Sequence, residues 1–301
     1  MGRATTRLRA ALARGPVIAP SIYDCLTARL AELAGFEVLH LAGSGVEASL
    51  LGIPDLGLLS LTEVADHAAR VCGSVALPVI ADIDTGFGGV LNVQRTIREM
   101  ERAGLAGVHI EDQANPKSNP FLAGRRVVSR AEAVDRVKAA VDARRDADFL
   151  IIARTDADSV SDEEVIERCH LFLEAGADVA FPIFLNIGGR SFYTLSPAEQ
   201  EAAVRALPGK IDGPVMYMGA PPPNDMTLFD LADAGWSIVL QATACFGAAA
   251  NAVAAVLAEV KEKGHYRGFA ADNPGPYHDG LAFMKMLRLD EHIETEKTFT
   301  S

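Results

Sequence analysis

The chain predicts a (β/α)8 barrel. Strand-like apolar runs alternate with helical patterns about eight times, and several helices close on Ala-Gly just before the next run. Two of the apolar runs also end in clustered carboxylates, the pattern expected where a parallel barrel gathers its chemistry at the C-terminal strand ends.

The strands are expected over 17–20, 38–42, 78–84, 107–111, 149–154, 179–184, 214–218 and 237–241. Each is a short run rich in Val, Ile, Leu and Ala, without the polar alternation of a half-exposed sheet. Helices are expected over 92–103, 130–144, 162–175, 197–207 and 227–234. Ala34-Gly35, Ala103-Gly104, Ala175-Gly176 and Ala234-Gly235 supply the glycine that ends a helix in a left-handed turn. After the eighth strand come a long helix over 246–263, a Gly/Pro-containing stretch over 264–276 and a helical segment near 279–289. No linker divides the sequence. One barrel domain is expected over 1–301, with a tail over about 264–301 that is too short for a core of its own and packs on the barrel or on a neighbouring subunit.

The 301 residues are 49% hydrophobic, enough for a substantial core, and carry a formal net charge of −12. That charge disfavours nucleic acid or an anionic membrane surface as the main partner. Cys25, Cys72, Cys169 and Cys245 are widely scattered, with no metal-ligand spacing, which fits a reduced cytoplasmic location. No signal peptide is visible, and no apolar run reads as long enough to span a bilayer. Gly2 with Thr6 superficially fits a myristoylation pattern, but in a basic context and without a second anchor.

The third run ends in Asp82-Ile83-Asp84-Thr85-Gly86-Phe87-Gly88-Gly89 and the fourth in His109-Ile110-Glu111-Asp112-Gln113. A folded core tolerates such carboxylates when they are paired, hydrated or bound to a cation. Asp82 and Asp84 are two residues apart and share a face on an extended strand, with Glu111 closing a neighbouring one. Three hard oxygen donors then suit Mg²⁺ or Mn²⁺. The alternative is that these carboxylates cap the helices that follow.

The other strand ends carry further candidates. The first gives Ser21-Ile22-Tyr23-Asp24. The second gives Gly43-Ser44-Gly45-Val46, whose small residues let backbone N–H groups approach an anion. The fifth gives Arg154-Thr155-Asp156, and a guanidinium there needs a carboxylate partner, such as Glu111 or Asp156, or an anionic substrate. His109 shares the face of Glu111 and is a candidate partner for a carboxylate or bound water. The remaining histidines, His40 among them, form no ligand-spaced pair and read as structural or exposed.

Tyr23-Asp24, Gly43-Ser44-Gly45-Val46, Leu51-Gly52-Ile53-Pro54-Asp55, Asp82 to Gly88, His109 to Gln113 and Ala153-Arg154-Thr155-Asp156-Ala157 together resemble the isocitrate lyase/phosphoenolpyruvate mutase superfamily, especially its short methylisocitrate-lyase-like members. The likeness is strong over roughly the first 180 residues and architectural beyond them. It implies a tetrameric barrel with a C-terminal helix exchanged between subunits. It also implies Mg²⁺ held by Asp84 directly, and by Asp55, Asp82 and Glu111 directly or through water. The substrate's 2-oxo acid would bind the metal, backbone groups near Ser44 to Val46, and Arg154. Such chemistry passes through an enolate-like pyruvate species.

One segment departs from the lyases of that family. Where they carry Lys-Arg-Cys-Gly-His in a mobile gate, this chain has Lys117-Ser118-Asn119-Pro120-Phe121. Asn119 cannot replace the cysteine as proton donor. Tyr23 or a metal-held water then becomes the candidate, whereas Lys117 with Asn119 resembles phosphoenolpyruvate mutase, where the amide helps hold a phosphoryl group. Positions after the sixth to eighth strands, including Pro182-Ile183, Met216 to Gly219 and Gln241-Ala242-Thr243, match no subfamily throughout. The expected activity is carbon–carbon cleavage or decarboxylation of a small 2-oxo or 2-hydroxy di- or tricarboxylate. The alternatives are phosphorus–carbon chemistry on phosphonopyruvate or phosphoenolpyruvate, and a non-catalytic ligand-binding barrel.

Overall fold

The structure, a computed structural model, describes residues 2–119, 122, 124–219 and 222–300; Pro120 and Phe121 of the gate motif lie outside the described residues. Eight parallel strands form one sheet: β1 (Val17–Ile22), β2 (Leu39–Leu41), β3 (Val79–Asp82), β4 (Gly107–Glu111), β5 (Leu150–Thr155), β6 (Val179–Pro182), β7 (Met216–Gly219) and β8 (Ile238–Gln241). Their order is β6-β5-β4-β3-β2-β1-β8-β7. The ends of that series meet, because Ala180 of β6 bridges in parallel to Val215 just before β7, with the Ala180 N–H donating to the Pro214 carbonyl at 2.9 Å. The sheet is therefore the expected (β/α)8 barrel.

Side chains alternate between two cores, as a parallel barrel requires. Ala19, Ile80, Ile152, Phe181, Met216, Ile238 and Leu240 belong to an inner cluster that also takes in Leu8 and Ala11 of the N-terminal helix Ala4–Arg14. That helix was not expected from the sequence; Arg9 ties it to Asp178 at 2.7 Å. The outer cluster packs strand residues against helices, as with Val93, Ile97 and Met100 of Val90–Arg102, spaced four and three apart on one face. Helix starts are well capped: Asp24 with Thr27, Ser60 with Glu63, Ser196 with Glu199 and Thr227 with Asp230 form reciprocal capping boxes, each contributing about 1 kcal/mol.

The chain resolves into two compact units, Met1–Ala244 and Cys245–Ser301. In the second unit, helix Ala244–Lys263 is tied to Arg267–Asp272 by Glu259, which accepts the N–H groups of Gly268 (2.9 Å) and Phe269 (2.7 Å). Helices Gly280–Met286 and Leu289–Phe299 follow. The expectation that no apolar run is long enough to span a bilayer is corrected, since Ala244–Lys263 meets that length and apolarity. Its apolarity comes mainly from alanine, which a reading for bulky aliphatic residues passes over.

Candidate active site

Lys117 sits between two of the expected acidic residues, Asp55 and Asp84. The Lys117 ammonium donates to Asp55 Oδ1 at 2.7 Å and also to Asp84 Oδ1, and Asn119 Nδ2 donates to Asp55 Oδ2 at 3.2 Å. Gly43, Val46, Asp55, Asp82 and Asp84 line one cavity, and Asp84, Asn115 and Lys117 line the next.

The route by which Asp84 arrives differs from the expected one. β3 ends at Asp82, and Asp84 sits in the left-handed region at φ 49°. The shared-face argument therefore fails at Asp84, because the strand has already turned. Asp82 Oδ1 accepts the Asp84 N–H at 2.9 Å, and the Asp84 carbonyl accepts the Glu111 N–H at 2.9 Å, so the turn is pinned to both strands. The Asp55 loop is held differently. Glu47, buried in helix Gly43–Leu51, accepts N–H groups from Leu56 (2.6 Å), Gly57 (3.2 Å), Leu58 and Leu59 (3.3 Å). Four backbone donors on one carboxylate make it a strong structural tie.

Helix Gly43–Leu51 was not among the expected helices, and its Gly-Ser-Gly is a poor helix start by propensity. Its first-turn N–H groups, from Gly43, Ser44 and Gly45, have no partner within the helix, whereas the N–H of Val46 is committed to the Ala42 carbonyl at 3.0 Å. Val46 is thereby removed from the expected set of backbone donors. A Cβ at Gly43 would lie 2.7 Å from Asp82 Oδ2, so only glycine lets this helix end approach the carboxylate.

Arg154 has both of the carboxylate partners expected for it. Its Nε and Nη2 donate to Asp156 at 2.8 and 3.0 Å, and its Nη1 lies 3.1 Å from Glu111 Oε2. The second contact has ion-pair distance without hydrogen-bond alignment, for both Glu111 oxygens are buried and make no hydrogen bond. Arg125, which the sequence reading missed, donates to Asp156 (3.0 Å) and Asp158 (2.8 and 2.9 Å), stitching the segment after the gate to the end of β5. Asp112 accepts from Thr155 Oγ1 at 2.7 Å, the Asp156 N–H at 2.9 Å and Arg168 at 3.0 Å. Tyr23 directly follows β1, and its carbonyl lies 2.7 Å from His67 Nε2.

Electrostatics separate the carboxylates. Burial, with Asp82 and Asp55 beside it, pushes Asp84 up to about 6 despite Lys117. Burial likewise pushes Glu111 well above the usual carboxylate range, with Arg154 opposing. For Asp82 burial is outweighed by His109, Lys117 and Arg154, which hold its carboxyl below that range. Burial opposes the Lys117 charge, yet Asp84, Glu111, Asp82 and Asp55 together raise its pKa. Negative charge is thus in excess and one cation is already enclosed within it.

Among the described residues, no group of three or more His, Cys, Asp or Glu side chains is arranged to hold a metal ion. By chemistry the donor set nevertheless fits a hard divalent cation: all candidate ligands are carboxylate oxygens, two of them on Glu111 are buried without a hydrogen bond, and Lys117 lies between Asp55 and Asp84 as a compact positive charge.

The phosphoenolpyruvate phosphomutase family matches residues 8–261. The chain belongs to the phosphoenolpyruvate mutase/isocitrate lyase superfamily. As a superfamily member it is 41% identical over 252 residues to 2-methylisocitrate lyase of Aeropyrum pernix, covering 83% of this chain and 77% of that one. Among solved structures, 2,3-dimethylmalate lyase aligns with a TM-score of 0.85 at 30% identity, covering 100% of this chain and 97% of that one. Phosphonopyruvate hydrolase in complex with oxalate and Mg²⁺ aligns with a TM-score of 0.82 at 29% identity, covering 99% of each chain. The superfamily member described here thus shares its fold with enzymes named for carbon–carbon and for phosphorus–carbon substrates, and its strand-end residues must discriminate between them.

Proposed function

We propose that the protein is a Mg²⁺-dependent carbon–carbon lyase acting on a small 2-oxo or 2-hydroxy di- or tricarboxylate through an enolate. The observation that carries this reading is the contact of Asp55 and Asp84 with one buried cation, Lys117, with Asp82 and Glu111 close enough to act on its charge. These four would hold the metal, with Mn²⁺ as an equivalent. A divalent cation there supplies the positive charge that stabilises an enolate oxygen as the adjacent bond breaks.

The protein's own groups do the rest. Arg154 and the free N–H groups of Gly43, Ser44 and Gly45 bind the substrate carboxylate and orient it. Lys117 and Asn119, both on Asp55, close the gate segment over the site and exclude water. Asn119 has no ionisable proton to return to the product, so Tyr23 directly after β1 is the candidate donor. The likeness to lyases of 2-methylisocitrate and 2,3-dimethylmalate supports this substrate class. Lys117 and Asn119 favour a second reading, phosphorus–carbon chemistry on phosphonopyruvate or phosphoenolpyruvate.

The reading extends to a cytoplasmic homotetramer with an exchanged C-terminal helix and without nucleic-acid or membrane partners. It is supported by four free cysteines, the net charge of −12 and the exposed Leu257, Leu281 and Phe299 of the second unit. Light scattering of the purified protein tests the tetramer. Asp84→Ala tests the metal reading: the folded variant is expected to lose Mg²⁺-dependent turnover, and full activity with unchanged Mg²⁺ dependence would reject it.

A further inference from the structure

A file of buried polar side chains crosses the barrel interior and ends at the acidic cluster. Ser21 and His40 face each other across the β1–β2 register, as do Asp82 and His109 across β3–β4. Ser21 Oγ lies 2.9 Å from His40 Nδ1, and His40 Nε2 lies 2.9 Å from His109 Nε2. His109 Nδ1 is buried, lies 3.5 Å from Asp82 Oδ1 and has no hydrogen-bond partner of its own. The imidazole planes are 22° apart with centroids separated by 5.1 Å, which with the short Nε2 contact means the rings meet end to end. Phe181 closes the side of His109 edge-on at 5.4 Å.

Two nitrogens 2.9 Å apart share one proton, so only two arrangements of neutral rings are consistent with the geometry. In the first, Ser21 donates to His40 Nδ1, His40 Nε2–H donates to His109 Nε2, and His109 Nδ1–H faces Asp82. In the second every donor is reversed, and a bare His109 Nδ1 faces the Asp82 carboxylate. Lone pair against carboxylate in a buried site is repulsive, which selects the first arrangement. Both rings are buried, and burial disfavours a charged imidazole.

We propose that Ser21, His40 and His109 form a one-way hydrogen-bond chain that presents an N–H to Asp82 Oδ1 and leaves Oδ2 as that carboxylate's outward, cation-facing oxygen. Oδ1 also accepts the Asp84 N–H at 2.9 Å, while Oδ2 lies against Gly43 with its neighbouring free helix N–H groups. The three are positioning residues, acting through Asp82. The cation-facing role of Oδ2 rests on the proposed metal reading; the direction of the chain does not.

The first test is magic-angle-spinning ¹⁵N NMR of histidine-labelled wild-type protein, with the two rings recognised by the mutual proximity of their Nε2 nuclei. Protonated Nδ1 and bare Nε2 in His109, with protonated Nε2 and bare Nδ1 in His40, are expected. The reversed tautomers, or a doubly protonated ring at neutral pH, would overturn the chain. The second test is Mn²⁺ affinity by electron paramagnetic resonance, with folding checked by thermal unfolding. His109→Asn places an amide where Nδ1 stood and is expected to stay within about 3-fold of wild type, whereas His109→Gln places it at Nε2 and is expected to weaken binding about 10- to 100-fold. Equal affinities in the two folded variants would overturn the positioning role. Absence of Mn²⁺ binding in the wild type would instead reject the metal reading, with the NMR result still deciding the chain.

Discussion

Lys117 Nζ lies 2.7 Å from Asp55 Oδ1, and the same ammonium also contacts Asp84. A residue of the gate segment thereby serves as the cation of the acidic cluster. Lys117→Met leaves buried carboxylates without that charge, and loss of one partner of a buried ion pair costs about 3–5 kcal/mol. The metal-free variant is expected to melt well below the wild type, and saturating Mg²⁺ is expected to recover more of its Tm than it adds to the wild type. Calorimetry with and without Mg²⁺ checks this; an identical Mg²⁺ increment in both proteins would show that lysine and metal do not share a position.

Asp84, held up at about 6, gives opposite signs for stability and for metal binding. Its folded pKa is above the unfolded value of roughly 4, so its contribution to metal-free stability is complete below that lower value and is lost as the pH rises through 6. Mg²⁺ needs the carboxylate, so affinity is expected to fall as the pH drops below 6, by up to about tenfold per unit, and to level off above it. Mg²⁺ titrations from pH 5 to 8 check the slope, and an affinity independent of pH would contradict the assignment of Asp84.

Much of this was legible in the sequence. The eight strands are short apolar runs punctuated by Ala-Gly, and β4 was placed at its observed bounds because Gly107 opens it and Glu111 closes it. Asp55 came only through family resemblance, since its approach depends on Glu47 folding the loop 56–59 back across the cluster. Arg125 gave no local signal: Gly124-Arg125-Arg126 looks like a solvated basic pair, and its partners lie 31 and 33 residues away. His40 was read as structural because no histidine stands at ligand spacing from it; it meets His109, two strands away, only across the barrel interior. Asp84 was legible as a candidate site carboxylate but not as a turn residue, although Asp-Thr-Gly-Phe-Gly-Gly carries the glycines of a turn.

Arg154→Lys keeps the charge that faces Glu111 but cannot reproduce the fork on Asp156. Metal affinity is expected to change little, while kcat/KM falls by about 100-fold from lost orientation. Steady-state kinetics on the folded variant decide the point, and an unchanged kcat/KM would reduce Arg154 to a structural ion pair.

Asn119 separates the two proposed chemistries, which would share one metal site. For carbon–carbon cleavage the amide does no proton transfer, and Asn119→Ala is expected to keep activity within about tenfold, as for a residue that closes the gate. For phosphoryl chemistry its hydrogen bonds would position the migrating group, and the same substitution would reduce turnover by orders of magnitude.

The most direct measurement is product analysis by ¹H, ¹³C and ³¹P NMR of the purified protein with Mg²⁺, offered methylisocitrate, dimethylmalate, oxaloacetate and phosphonopyruvate separately. Mg²⁺-dependent scission of a carbon–carbon bond in one of the carboxylic acids, giving pyruvate or carbon dioxide and abolished by chelation, is the predicted result. Turnover of phosphonopyruvate alone, with release of phosphate and no cleavage of any carboxylic acid offered, would contradict the lyase reading.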